Sequence, residues 1–572
     1  MTSKNPINTA QPEELTGAQI LLKALAAEGV EVIFGYPGGQ VLPIYDEIYR
    51  TKNITHILTR HEQGAVHAAD GYARSTGKPG VCLATSGPGA TNLVTGIANA
   101  YMDSVPIVAI TGQVPSALLG RDSFQEADIV GITTPITKYS YLVKDVKDLA
   151  RVIHEAFHIA TTGRPGPVLI DIPKDITTEK TEFIYPPSLE LPGYRLKSTV
   201  NLEQVNKAAE AIVKAKQPVL FVGGGVISSG ASEEIGKLIE LTDIPLTYSL
   251  MGKGAFPDNR EQCLGMLGMH GTAYANYAAY ESDLIFGIGV RFDDRVTGRL
   301  DTFGTQAKII HIDIDPAEIG KNVQVDIPLA GDVKKVLQEL NKVLENKGYR
   351  PAIEPWKQKI AEWKNKYPLK YETVPGVIKP QFVVEQIYAA TNGEAYICTE
   401  VGQNQMWAAQ YYSSLKPRNF ITSGGLGTMG FGLPAAMGVQ MAHPEAVVFN
   451  IAGDGSIQMN SQEFATIVQN KLPINVAILN NHTLGMVRQW QELFFDKHYS
   501  HTSMTGQPDF VKLADAYGAV GLRVEKPEDV RPALEEAISS PKAYILDFII
   551  EADEKVYPMV PAGCSINNML GR

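Results

Sequence analysis

Apolar positions along this chain alternate between helical stripes and short unbroken runs, and that alternation predicts the fold. Thr16 and Gln19 form a capping box ahead of the stripe Ile20, Leu21, Ala24 and Leu25, which predicts a helix. Residues 30–34 then read as a short buried strand, with Gly35-Tyr-Pro-Gly-Gly39 as its exit turn. Residues 54–58 read as a strand ahead of His61, and 81–85, 107–111 and 168–172 are further continuous apolar runs. Such strands are buried on both faces, so they belong to a parallel sheet covered by helices. A second set lies at 218–222, 284–289 and 308–313, and a third at 447–452 and 474–479. Residues 419–422 barely make a strand. A Pro-rich stretch at 185–193 and a basic stretch with five prolines at 346–380 read as linkers. Trp356 and Trp363, seven apart in the second of these, are expected to pack a helix onto a neighbour. The predicted architecture is α/β: three doubly wound parallel-sheet domains at 15–185, 200–345 and 381–550, with a C-terminal tail at 551–572. The first and third domains echo each other. Ser86-Gly-Pro-Gly-Ala-Thr-Asn92 and Ser423-Gly-Gly-Leu-Gly-Thr-Met429 each precede a small-residue helix, then a strand ending in Gly112 or Gly453, as a duplication would leave.

Composition narrows the function classes. Fifty-one basic against 62 acidic residues leave a net charge of −11 over 572 residues, with no Lys/Arg-rich run, which argues against nucleic acid as a partner. A hydrophobic share of 44% and a charged share of 20% suit an ordered globular chain, and no 18-residue apolar run predicts a membrane span. Met1 to Glu14 carries no apolar stretch of a secretory leader, so the expected location is the bacterial cytoplasm, or the plastid stroma for an organelle-derived chain. Cys82, Cys263, Cys398 and Cys564 lie far apart without a CxxC pair, which excludes a disulfide scaffold and a zinc knuckle.

The strongest chemical signal is Gly453-Asp454-Gly455, then 24 residues, then Asn480-Asn481. Both ends follow apolar strands, and neighbouring carboxyl strand ends form the ligand crevice of an open parallel sheet. Mg²⁺ takes an octahedral set of hard oxygens shared with phosphates. Asp454, Asn481 and a carbonyl near Thr483 would supply protein oxygens and leave positions for a diphosphate, while the glycines let the backbone come close. Either turn alone is commonplace; the pair at this spacing points to thiamin diphosphate (ThDP) with Mg²⁺. Gly425-Leu-Gly427-Thr-Met-Gly430 also matches the dinucleotide fingerprint GxGxxG, with Glu445 as its ribose acid, but it lacks a proper preceding strand. Glu62, in His61-Glu62-Gln63-Gly64, opens a helix, where a carboxylate is at home beside the positive end. With ThDP it has a sharper use: a dry carboxyl sharing a proton with ring nitrogen N1′ favours ionisation of the thiazolium C2–H. Ala65, Val66 and Ala69 would keep it dry.

With these sites in hand, the chain resembles the acetohydroxyacid synthase (acetolactate synthase) catalytic large subunits, of the ThDP-dependent enzyme family, from about Leu15 to Gly563. The resemblance is carried by Phe34-Gly-Tyr-Pro-Gly-Gly39, Arg60-His-Glu-Gln-Gly64, Thr85-Ser-Gly-Pro-Gly-Ala-Thr-Asn92 and Phe124-Gln-Glu126. It continues in Gly268-Met-His-Gly271, Arg291-Phe-Asp-Asp-Arg-Val-Thr-Gly298 and Gly485-Met-Val-Arg-Gln-Trp490. It implies a pyrimidine-binding first domain, a central FAD-binding domain and a diphosphate-binding third domain. Glu62 would activate the cofactor, with Gly39, Phe124, Gln125 and Lys174 lining the reaction pocket. Val401, Gln403, Gly427 and Met429 would hold ThDP, beside Gly455 and Ser456 of the diphosphate turn. Met269, His270, Asp294, Arg295, Met486 and Trp490 would form the substrate side together with Phe124. Gly223, Gly224, Arg164, Arg291 and Asp313, with His270, would contact an FAD that has no redox role, although Gly223-Gly-Gly-Val-Ile-Ser228 is not GxGxxG.

The implied reaction decarboxylates pyruvate and joins the remaining two-carbon unit to a second 2-ketoacid, pyruvate or 2-ketobutyrate. The implied assembly is a homodimer with shared active sites, or a tetramer, with a regulatory small subunit. Another ThDP enzyme, such as a pyruvate oxidase, and a non-catalytic nucleotide-binding scaffold are the rival readings. Gln40 departs from the small residue usual in the family, and a longer amide there is expected to narrow the pocket mouth.

Overall fold

The computed structural model describes residues 14–196 and 199–571. The reading of a leaderless N-terminus falls, apart from Glu14, outside the described residues, as does the last residue of the tail. The chain divides into two compact units, residues up to 73 with 78–195, and 74–77 with 196 onward. Three six-stranded sheets, every pairing within them parallel, form its frame.

The first unit carries a six-stranded sheet in the order Thr55–Leu58, Val32–Gly35, Gly80–Ala84, Ile107–Gln113, Val168–Pro173 and Tyr139–Leu142, and a small antiparallel pair, Glu14–Thr16 with Lys180–Glu182. Its central strands Gly80–Ala84, Ile107–Gln113 and Val168–Pro173 are buried at every position, as their unbroken apolar runs require. The capping box forms as read: Thr16 Oγ1 accepts from Gln19 N at 3.3 Å and Gln19 Oε1 accepts from Thr16 N at 3.0 Å. The helix it opens, Gly17–Ala27, buries Ile20, Leu21 and Leu25 against this sheet's core.

The second unit carries two sheets. Counted in chain order, the central sheet runs 3-2-1-4-5-6, with Pro218–Val222 and Leu284–Ile288 in the middle. This is the order that forms a dinucleotide crevice where the crossovers change direction. The last sheet runs Phe420–Ile421, Tyr396–Thr399, Val448–Gly453, Ile474–Asn480, Tyr544–Ile549, Val520–Val524. In chain order that is 2-1-3-4-6-5, the same as the first unit's sheet, so the echo between the two glycine turns extends to topology.

The stretch 346–380 holds a helix, Glu354–Lys366, with Trp356 only 2% exposed in the core of the central sheet. Trp356 Nε1 donates to Pro218 O at 3.0 Å, and its ring meets Trp363 edge to face. The tail folds back through isolated bridges, Met559 with Leu570 and Gly298 with Ser565. No helix among the described residues is long and apolar enough to cross a membrane.

Candidate active site

In the second unit the two turns singled out from the sequence come together. Val448–Gly453 and Ile474–Asn480 are adjacent parallel strands with Gly453 opposite Leu479. Asp454 and Asn481 therefore leave the sheet side by side. They line a cavity of about 80 Å³ together with Val401, Gln403, Met429, Gly455, Ser456, Thr483 and Met486. Gly427 stays close by: a Cβ on it would lie 3.9 Å from Val401 Cγ1.

Asp454 is 2% exposed and its Oδ2 has no hydrogen-bond partner, and burial pushes its carboxyl up to about 7. A buried, half-satisfied carboxylate is costly unless a cation neutralises it. Among the described residues no cluster of three or more His, Cys, Asp or Glu side chains is fit to hold a metal. A cation here would rest on one carboxylate plus amide and carbonyl oxygens, the donor set of Mg²⁺ rather than of a softer metal. The residues present fit that ion. Asn481 is oriented for it: its Nδ2 donates to Gln403 Oε1 at 3.1 Å, and its Oδ1 faces Thr483 N at 3.3 Å. Gln403 Nε2 is spent on Gln489 Oε1 and Glu554 O, so its amide braces the site as well as lining it. Gly485 has no room for a side chain, since a Cβ would fall 2.0 Å from Gln403 Oε1.

Glu400, which the sequence reading passed over, holds the loop that carries Met429. It is fully buried at the end of Tyr396–Thr399, and its carboxylate accepts from Gly430 N at 2.7 Å and Leu433 N at 3.0 Å. Asn460 Nδ2 donates to Gly430 O from the other side. An acid directly after a buried strand and before Val401-Gly-Gln403 was the available signal.

A second cavity of about 80 Å³ brings Met269, Asp294 and Arg295 together with Val560, Gly563 and other tail residues. Arg295 lies over Trp490, 6.0 Å from its ring centroid, and its contact with Asp294 is long, 3.9 Å, with both side chains well exposed. His270 is enclosed instead: its ring bonds to the Pro558 backbone, and burial lowers it to about 4. The tail's share in this cavity had no sequence signal.

At the central crevice, Gly223 and Gly225 approach the next strand's exit so closely that Cβ atoms would lie 2.4 Å from Gly289 O and 2.6 Å from Gly289 Cα. Gly224 has more room, 3.2 Å to Met251 Cβ. Asp313 ends the neighbouring strand, with Oδ1 accepting from Asp315 N, and Arg291 follows the loop after Leu284–Ile288. Arg164 belongs to the other unit, where its Nε donates to Ser104 Oγ at 2.8 Å.

In the first unit, three of the predicted residues converge on the turn 85–89. Glu62, the first residue of Glu62–Thr76, is 8% exposed and accepts from Asn92 Nδ2 at 2.9 Å. Gly87, at φ +56°, approaches Gln125 so closely that a Cβ would sit 2.7 Å from its carbonyl oxygen. Gly39 joins them through its neighbours, Gly38 against Thr85 and Gln40 N donating to Thr85 Oγ1. Gln40 Oε1 is buried without a partner, so this amide is at least partly turned inward. Lys174 is half-buried at the start of Lys174–Thr178, and Phe124 is 85% exposed.

The chain matches three families in order: "Thiamine pyrophosphate enzyme, N-terminal TPP binding domain" over 15–132, "central domain" over 205–340, and "C-terminal TPP binding domain" over 400–548. It is 51% identical over 563 residues to an acetolactate synthase large subunit of Haemophilus influenzae, covering 98% of both chains. It is 52% identical to an acetolactate synthase of Mycobacterium leprae, over 98% of this chain and 91% of that one. A chloroplastic acetolactate synthase 3 of Brassica napus is 49% identical, over 98% of this chain and 87% of the relative.

Proposed function

We infer the roles of these residues from one premise: the chain belongs to the acetolactate synthase family of thiamine pyrophosphate enzymes. It is an enzyme, a ThDP-dependent carboligase of branched-chain amino-acid biosynthesis. It removes CO₂ from pyruvate and joins the two-carbon remainder to a second 2-ketoacid. Pyruvate as acceptor gives 2-acetolactate, and 2-ketobutyrate gives 2-aceto-2-hydroxybutyrate. The observation that carries the reading is the pair of adjacent strand ends presenting Asp454 and Asn481 to the cavity lined by Val401, Gln403 and Met429.

ThDP, when bound, supplies the carbon that attacks the keto group and the electron sink for loss of CO₂. Asp454, Asn481 and Thr483 would hold Mg²⁺ and through it the diphosphate, with Gly455 and Ser456 supplying backbone at the turn. Val401, Gln403, Gly427 and Met429 would support the rings. Glu62 would share a proton with ring nitrogen N1′ and so favour release of the C2 proton. Gly39, Phe124, Gln125 and Lys174 would border the reacting atoms. Arg295 would take the second ketoacid's carboxylate, with Met269, Asp294, Met486 and Trp490 shaping its surroundings. His270, neutral at physiological pH, would contribute shape and not charge.

Three structural domains, 15–185, 200–345 and 381–550, with a tail from 551, would divide this work. The 3-2-1-4-5-6 strand order and the glycine approach at Gly223 and Gly289 support an FAD site in the central crevice, with Gly224, Arg291 and Asp313 beside it; Arg164 is a contact only by the family resemblance. The assembly would be a homodimer with shared active sites, or a tetramer of such pairs. Relatives named as large subunits favour a regulatory small subunit as partner. Bacterial and chloroplastic relatives favour the cytoplasm or the plastid stroma. The test is direct: incubate the protein with pyruvate, 2-ketobutyrate, ThDP, Mg²⁺ and FAD, and identify the products. Both acetohydroxyacids with release of CO₂ are expected; acetate or acetyl phosphate with flavin bleaching would make it an oxidase instead.

A further inference from the structure

We propose that Asn92 is a positioning residue for Glu62, fixing which carboxylate oxygen is presented to the cofactor's aminopyrimidine ring. The inference rests on Glu62 being the activating carboxylate. Asn92 ends the sequence Thr85-Ser-Gly-Pro-Gly-Ala-Thr-Asn92 and follows the short helical turn Pro88–Thr91. Its Nδ2 donates to Glu62 Oε2 at 2.9 Å, in partly buried surroundings. Among the described residues no donor reaches the other oxygen, Oε1.

What lies against Oε1 is Gly89. A Cβ there would stand 3.2 Å from Glu62 Oε1 and 2.8 Å from Thr85 Cγ2, so a side chain would crowd the oxygen. One turn thus does two things to one carboxylate: its last residue occupies Oε2, and its middle glycine leaves Oε1 room. A free carboxylate rotates about its last torsion, which is broad and roughly two-fold. A charge-assisted hydrogen bond on one oxygen removes that freedom. A group that must share a proton with a ring nitrogen gains from such fixing, because positioned proton transfer depends on geometry before anything else. The bond also offsets the cost of keeping a carboxylate in a site that is only 8% exposed.

Two substitutions separate this role from packing. Asn92→Leu keeps the bulk and removes the donor. Asn92→Asp keeps the shape and sets a second carboxyl group against Oε2. Hydrogen–deuterium exchange at C2 of bound ThDP, followed by NMR with Mg²⁺ present, should slow by roughly 10- to 100-fold in Asn92→Leu and at least as much in Asn92→Asp, as expected for a lost hydrogen bond to a charged group. The KM for pyruvate should stay within about two-fold of wild type, since Asn92 acts on Glu62 and not on substrate. A readout without cofactor is also available. The Glu62 carboxylate band, located by subtracting the infrared spectrum of Glu62→Gln, should shift in both Asn92 variants of the cofactor-free protein. Glu62→Gln itself separates the two ideas. If it exchanges C2 at the wild-type rate, the reading of Glu62 fails and this inference with it. If Glu62→Gln is slow while Asn92→Leu and Asn92→Asp exchange normally with an unshifted band, the inference alone is overturned.

Discussion

Asp454 and Asn481 leave the sheet from two neighbouring parallel strands whose ends are in register at Gly453 and Leu479. This puts a carboxylate whose Oδ2 has no partner beside an amide already braced by Gln403. Such an arrangement is suited to binding and poor for stability, which gives opposite signs to one substitution. Asp454→Asn should weaken Mg²⁺ binding by more than about 100-fold, read by calorimetry in the presence of ThDP. The same variant, free of metal and cofactor, should be more stable than wild type by ~1 kcal/mol in urea, because a buried unpaired charge is gone. A variant that lost stability and kept its Mg²⁺ affinity would make Asp454 a structural residue.

The strand pair was legible because chemistry and periodicity agreed there. Apolar runs located both strands, and glycine and asparagine marked both exits, so adjacency was the one thing left for the fold to supply. In the first and third sheets the strands with unbroken apolar runs were legible in the same way, whereas Tyr139–Leu142, Tyr396–Thr399, Val520–Val524 and Tyr544–Ile549 were not, and the shared strand order came from the fold. The tail was not. Its contacts are single bridges, such as Gly298 with Ser565, and side-chain grips such as Lys379 on Glu551 and Glu554, which impose no repeat on the sequence. Glu400 escaped for a related reason: it accepts from backbone N–H groups at Gly430 and Leu433, and any residue type except proline can supply those. Within 346–380, prolines and basic residues read as a linker, yet the spacing of Trp356 and Trp363 already pointed to the packing helix that forms there, Glu354–Lys366.

His270 gives the tail's docking a pH dependence. It is buried, bonded to the Pro558 backbone, and lowered by burial from 6.5 to about 4, with Arg295 adding to the shift. The unfolded chain therefore binds this proton first. The stability His270 contributes as a neutral ring is present above about pH 6.5 and is lost as pH falls through about 4, reaching about 3 kcal/mol in full. His56 is lowered too, so the comparison must be with a variant. Wild type minus His270→Gln should lose stability between pH 6.5 and 4, and proteolysis near Tyr557 should rise over the same window. Parallel pH curves for the two proteins would remove His270 from this role.

Arg295 and Trp490 should act as one unit in choosing the second ketoacid. The guanidinium lies over the indole, while its pairing with Asp294 is exposed and weak. Trp490→Leu removes an apolar wall worth ~1–3 kcal/mol for one extra methyl, so preference for 2-ketobutyrate over pyruvate should fall by roughly 10-fold or more with little change in acetolactate formation. Arg295→Lys should reduce both products, because an ammonium cannot grip a carboxylate with two parallel bonds. Competition assays with both ketoacids report the ratio directly, and an unchanged ratio in Trp490→Leu would leave Trp490 as a packing residue.

Subunit exchange should show whether each active site is shared between two chains. Glu62 belongs to one compact unit and Asp454 to the other, and the roles proposed for them concern a single ThDP. In a two-fold dimer with shared sites, each site takes Glu62 from one chain and Asp454 from its partner. Glu62→Gln and Asp454→Ala proteins should each be nearly inactive alone. When their subunits exchange, one site of a mixed dimer receives both substitutions and the other receives neither. Random pairing makes about half of the dimers mixed, so roughly a quarter of wild-type activity should return. Differently tagged chains, recovered together, would establish that exchange took place. If tagged mixed dimers form and activity stays at the level of the parents, each chain builds its site alone, and the shared-site assembly is wrong.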